Sequence, residues 1–212
     1  RQYPGGTAKL DLAKGHPDIK FETYALWDKL AADQLQKLAI DKRPPKWTVR
    51  LGPPEDWNPK ETWGWETLAT AIEANGHKIN DWVWKDLLSR IALASERSKV
   101  ELIEIRPCDL GFCFADWVRR DMFYAVADRV GFVPVEQEVG PQSILQYGHT
   151  LAVGEWKVID SEPIVDSYGR RRLLYIKRAG GGVWLLLNDG DPDREWHPGS
   201  RFPRRTKKRT WR

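Results

Sequence analysis

Arg171-Arg172-Leu173-Leu174-Tyr175-Ile176-Lys177-Arg178 is followed by Ala179-Gly180-Gly181-Gly182 and then by Val183-Trp184-Leu185-Leu186-Leu187. Two apolar-rich runs flank a four-residue link that carries three glycines, and this predicts an antiparallel hairpin, because glycine takes the positive φ of a tight reversal without a Cβ clash. Upstream, Glu155-Trp156-Lys157-Val158-Ile159-Asp160 places polar and apolar residues close to a period of two, the pattern of a half-buried strand. Pro163 closes that run, and Ser167-Tyr168-Gly169 supplies turn chemistry. The span 154–188 therefore reads as a β-meander.

The meander runs through the turn-rich Asn188-Asp189-Gly190-Asp191-Pro192-Asp193 into a basic end. Between Arg201 and Arg212 seven residues are basic and none is acidic. A block of like charges repels itself and has little to bury, so 201–212 is expected to be a disordered tail. From Arg170 onward the chain carries 13 basic and 4 acidic residues, a net of +9, which leaves 21 basic and 26 acidic, a net of −5, for residues 1–169. Such asymmetry points to a polyanion at one end, because Lys and Arg that neutralise phosphates release counterions.

Composition bounds the rest. The 212 residues, 41% hydrophobic and 30% charged, suffice for one full core or two small lobes of a soluble protein. No apolar run approaches bilayer-spanning length and no signal peptide is evident, so membrane partners are not expected. Two cysteines, Cys108 and Cys113, are too few for a disulfide framework and read as buried thiols in a reducing compartment; the four histidines lack the paired spacing of a zinc site.

Upstream of the meander, 1–16 reads as a flexible arm. Residues 17–98 read as a helical body: one helix over about 18–40, a Pro- and Trp-rich connector over 44–59, a second helix over 66–75 ended by Gly76, and a third over 81–98. The connector holds Pro44, Pro45, Pro53, Pro54 and Pro59, which is why it is expected to be extended. Its tryptophans, with Trp63 and Trp65 beyond it, sit among Glu55, Asp56, Glu61 and Glu66, so they read as packing and not as base-stacking platforms. Residues 99–200 form an α+β region. It opens with a strand over 100–106, a helix over 114–130 and a strand over 132–139, an order compatible with a parallel crossover, and it ends in the meander.

Three chemistries can be weighed. Asp189, Asp191, Asp193 and Glu195 alternate like the opening of a calcium loop, but Arg194 and Ser200 stand where such a loop needs glycine and glutamate, so turn chemistry is the better reading. Glu155-Trp156-Lys157 on a strand, with Glu136 and Glu138 before it, could hold a divalent metal and orient a water in a nuclease, although short Glu-x-Lys patterns are common. Ser143, Tyr147 and His149 lack any nucleophile elbow.

The sequence thus predicts an α+β protein with a mostly helical N-terminal body, a strand-helix-strand middle and a C-terminal antiparallel meander with a basic tail. Its expected role is that of a non-enzymatic nucleic-acid-binding subunit of a larger nucleoprotein assembly, viral or of a mobile element, located in the cytoplasm or within such a particle. The residues expected to bind nucleic acid are Arg170, Arg171, Arg172, Lys177 and Arg178 on the hairpin, with Arg201, Arg204, Arg205, Lys207, Lys208, Arg209, Trp211 and Arg212 in the tail. Other protein subunits are expected partners, and no cofactor or metal is implied. The alternatives are a structural assembly protein acting through protein–protein contacts, and a metal-dependent nuclease using Glu138, Glu155 and Lys157.

Overall fold

The computed structural model describes residues 47–58, 60–112 and 117–206. The first predicted helix lies outside them. The chain enters as strand β1 (Trp47–Leu51), in which Val49 and Leu51 are buried while Arg50 is exposed. Helix α1 (Trp65–Ala74) buries Leu68, Ala69 and Ile72, and Gly76 follows it at φ +76, as the sequence predicts. A two-residue strand β2 (Lys78–Ile79) then leads into a π turn (Val83–Leu87) and a 3₁₀ turn (Leu88–Arg90). Strand β3 (Ser98–Ile105) pairs with β1 in antiparallel register.

The described part of the expected helical body is therefore mixed α and β, which corrects the prediction. The connector that the prolines mark as irregular contains β1. The third helix stops at Arg90 because Ile91 turns extended and the backbone N–H of Ala94 donates to Glu138 at 2.7 Å. The same carboxylate accepts from Gly52 N at 2.8 Å and from Gln142 Nε2 at 2.9 Å. One buried glutamate thus pins the end of β1 and the approach to β3 together, and this tertiary bond overrides local helix propensity.

A 3₁₀ turn (Pro107–Leu110), strand β4 (Val118–Arg119), helix α2 (Arg120–Arg129) and strand β5 (Phe132–Val133) follow. Cys108 is disulfide-bonded, which corrects the expectation of free thiols; Cys113 lies outside the described residues. The strand predicted over 132–139 ends after two residues. Val139 begins helix α3 (Val139–Tyr147), which the sequence reading misses. Gly140 and Pro141 hide it, yet proline is tolerated in a first helical turn. Gly140 has a packing role: a Cβ there would stand 3.1 Å from Leu174 Cδ1 and 3.3 Å from Ile159 Cγ1.

The meander forms from β6 (Trp156–Val158), β7 (Ile164–Val165), β8 (Arg171–Ala179) and β9 (Gly182–Asp189). β8 pairs with β9 from Arg172↔Asp189 to Ala179↔Gly182, and with β6 and β7 on its other side. β2 adds in parallel to β9. Successive side chains of β8 enter different cores: Leu174 and Ile176 join a cluster with α1, α3 and β1, while Leu173 and Tyr175 join one with α2 and Phe202. Burial on both faces is why this strand reads as a continuous apolar run.

After β10 (Glu195–Trp196), which pairs β4, the chain ends its described part in β11 (Phe202–Thr206). The first half of the expected disordered tail is thus a strand. β11 pairs antiparallel with β3 over Phe202–Arg204 and with β5 over Arg205–Thr206. Both neighbours are antiparallel to it, so β3 and β5 run parallel with β11 between them, a crossover through α2 split by the last strand. Because each half of β11 is paired on one side only, Pro203 deprives no ladder of a needed N–H.

Candidate nucleic-acid interface

Of the eight basic residues singled out from the sequence that lie among the described residues, five are held by carboxylates. Arg170 and Arg172 donate through Nε to Oδ2 of Asp166 at 2.9 and 3.0 Å, while the backbone N–H groups of Tyr168 and Arg170 donate to its Oδ1. Burial pushes the Asp166 carboxyl up, but the backbone donor and the two guanidiniums outweigh it and bring it down to about 2. Strand alternation divides the others. Arg171 and Lys177 lie on one face of β8, with Lys177 paired across to Trp184, and Arg178 lies on the opposite face, where it reaches the carbonyl of His149 at 3.5 Å. The hairpin cations do not form one surface.

The tail residues fare similarly. Arg201 lies 3.2 Å from Glu155 and 3.6 Å from Glu104. Arg204 is fully buried, its Nε donating to the equally buried Asp160, its guanidinium stacked over Phe123 and Tyr124 at 5.0 and 4.4 Å. Burial pushes the Asp160 carboxyl up to about 6 against the pull of Arg204 and Arg120. A phosphate cannot reach Arg204, which removes it from the predicted set. Arg205 pairs with Glu136 at 2.6 Å. Lys207, Lys208, Arg209, Trp211 and Arg212 lie outside the described residues.

The carboxylate set for a nuclease is not assembled as predicted either. Glu138 serves the Gly52–Ala94 anchor. Lys157 instead binds Glu104 at 2.6 Å and Glu155 at 3.0 Å, with its ammonium 4.7 Å from the Trp47 ring centroid. Two carboxylates are thus neutralised by Lys157 and Arg201, and among the described residues no group of three or more His, Cys, Asp or Glu could hold a metal ion. Asp191 N donates to Asp189 Oδ1 at 3.0 Å, so the acidic alternation there is a turn.

Two cations that the sequence reading passes over stand apart. Arg50 of β1 and Lys99 of β3 are direct register partners, both exposed, and among the described residues neither charged head group has a hydrogen-bond or ion-pair partner. Like charges directly opposite on paired strands cost stability on the order of 0.2–1 kcal/mol. Beside this pair β11 leaves β3 after Arg204 to join β5, and the fork opens a cleft of about 990 Å³. Arg50, Lys99, Glu101 and Arg205 line it together with Thr48, Tyr147 and Thr206. Tyr147 steadies one wall by donating its hydroxyl to Thr48 O at 2.5 Å. The next residues in the chain are Lys207, Lys208 and Arg209. The only sequence signal for Arg50 is the alternation Trp47-Thr48-Val49-Arg50-Leu51, which the surrounding prolines mask.

The chain matches no protein family model, no curated protein and no solved structure. Among the described residues no helix is long and apolar enough to cross a membrane.

Proposed function

We propose that this chain is a nucleic-acid-binding subunit of a larger nucleoprotein assembly, and that it meets phosphates along the β1–β3–β11 cleft and the basic run that follows Thr206. The observation that carries the proposal is the unpaired Arg50↔Lys99 register pair, a local repulsion that an anion between the two head groups would turn into attraction. The hairpin contributes less than its composition promises, since Asp166 holds Arg170 and Arg172. With Arg204 buried and Arg205 paired with Glu136, the tail contacts begin after Thr206.

Binding of fluorescently labelled DNA and RNA across a salt series tests this. The full chain is expected to bind with log Kobs falling linearly in log salt. A chain ending at Thr206, and an Arg50→Ala/Lys99→Ala variant, are each expected to show a shallower slope, by about 0.7–0.9 per lost phosphate contact. Absence of binding at about 50 mM salt would overturn the proposal; oligomers detected by mass measurement in that case favour a purely structural assembly role.

A further inference from the structure

A second pocket shares the Arg50–Lys99 pair. It measures about 510 Å³ and lies between the rim of the β1–β3 pair, the 52–57 loop, α1 and α3, with Trp57, Trp63, Leu145 and Gln146 among its walls. The two indoles meet edge to face, centroids 5.4 Å apart at 76°. The Nε1–H of Trp63 is buried without a hydrogen-bond partner among the described residues. The loop is held in shape by Arg97, whose guanidinium donates to the carbonyls of Pro53, Pro54 and Glu55, and a Cβ at Gly52, which has φ +78, would stand 2.5 Å from the carbonyl oxygen of Glu96. Such a pocket is preformed, of ligand size, aromatic, and open beside two unpaired cations.

The geometry points to this pocket as a site for one unpaired base of a single-stranded nucleic acid, whose flanking phosphate rests on Arg50 and Lys99. The inference rests on the nucleic-acid reading above and sharpens it. Phosphate and base are the two ends of one nucleotide, and here an anion-seeking pair and an aromatic slot lie side by side. A duplex keeps its bases stacked inside and offers only phosphates, whereas a single strand presents π-faces that aromatic side chains accept whatever the base. Glu55 and Asp56, the acidic neighbours on whose account the sequence reads Trp57 and Trp63 as packing, also line the pocket. They belong to the loop and not to the strands, and their charge turns the phosphate backbone toward Arg50 and Lys99.

Three probes decide it: a single-stranded oligonucleotide of about twelve residues, the same backbone with its central positions abasic, and a duplex of equal length. All are titrated by anisotropy against the full chain at one salt concentration and then over a salt series. The base-bearing single strand is expected to bind on the order of tenfold more tightly than the abasic one, with equal salt slopes, since one stacked base contributes about that much. Trp57→Ala is expected to abolish the difference and leave the slope unchanged, whereas Arg50→Ala/Lys99→Ala lowers the slope for both. Equal affinity of the unaltered chain for base-bearing and abasic strands overturns the base pocket while leaving the electrostatic reading intact. Absence of binding by all three probes overturns both.

Discussion

Two arginine-bearing strands make an instructive contrast. In β11, Arg204 belongs to the most basic stretch of the chain and is fully buried against Asp160. In β1, Arg50 sits in a proline-rich segment whose neighbours include Glu55 and Asp56, yet its guanidinium is exposed and faces another cation. Linear charge density ranks these two the wrong way round. A carboxylate 44 residues away in sequence determines the fate of Arg204, and strand register determines that of Arg50. Free positive charge is a property of pairing, and pairing is long-range.

The largest effect that would sharpen this contrast is expected from Arg204→Ala. It strands the buried Asp160 carboxylate and should cost about 3–5 kcal/mol of stability, read from the denaturant midpoint. The pH dependence should change as well. The folded-state value of Asp160, about 6, lies above its ordinary 3.8, so the native chain holds the extra proton and this group's contribution to stability falls as pH rises from 3.8 through about 6. Without the guanidinium the carboxyl moves higher still, and the decline extends further toward high pH. An unchanged midpoint in the variant would show that Arg204 is not the counter-ion described here.

Next in size is Lys157→Ala, which removes the 2.6 Å ion pair to Glu104, 5% exposed, while the longer contact to Arg201 stays. About 1–3 kcal/mol of stability should be lost by the same measurement. The Arg50→Ala/Lys99→Ala variant should behave oppositely: binding weakens, and thermal unfolding moves up slightly or stays put, because a repulsion on the order of 0.2–1 kcal/mol is relieved. A clear loss of stability would mean that the two cations serve the fold.

The smallest effect is at Asp166. Its value, held near 2, is below the ordinary 3.8, so its contribution is present above 3.8 and disappears as pH falls toward 2. Thermal unfolding followed through that window should show an acid-side decline that Asp166→Asn removes. The freed Arg170 and Arg172 should then steepen the salt slope of nucleic-acid binding, making the hairpin resemble the Arg50–Lys99 pair.

Part of this molecule is legible in its sequence alone. The β8–β9 hairpin is written in three consecutive glycines between apolar runs, and α1 in its spacing of Leu68, Ala69 and Ile72 before Gly76. Helix α3 is not legible, because Gly140 and Pro141 read as breakers until the close approach of Leu174 and Ile159 explains the glycine. The short π and 3₁₀ turns replace a helix that local propensity favours, since Glu138 captures the Ala94 N–H from 44 residues away.

The candidate site divides along the same line. Sequence alone determined the charge asymmetry, the local hairpin and the basic run after Thr206, because these depend on residue type and on neighbours within a few positions. Which cations remain free, which are sequestered by Asp160, Asp166, Glu104 and Glu136, and that Arg50 and Lys99 meet at the mouths of two clefts were decided only by the tertiary structure. Ion pairing and strand register act through space, and nothing in the linear order records which distant carboxylate a guanidinium will find.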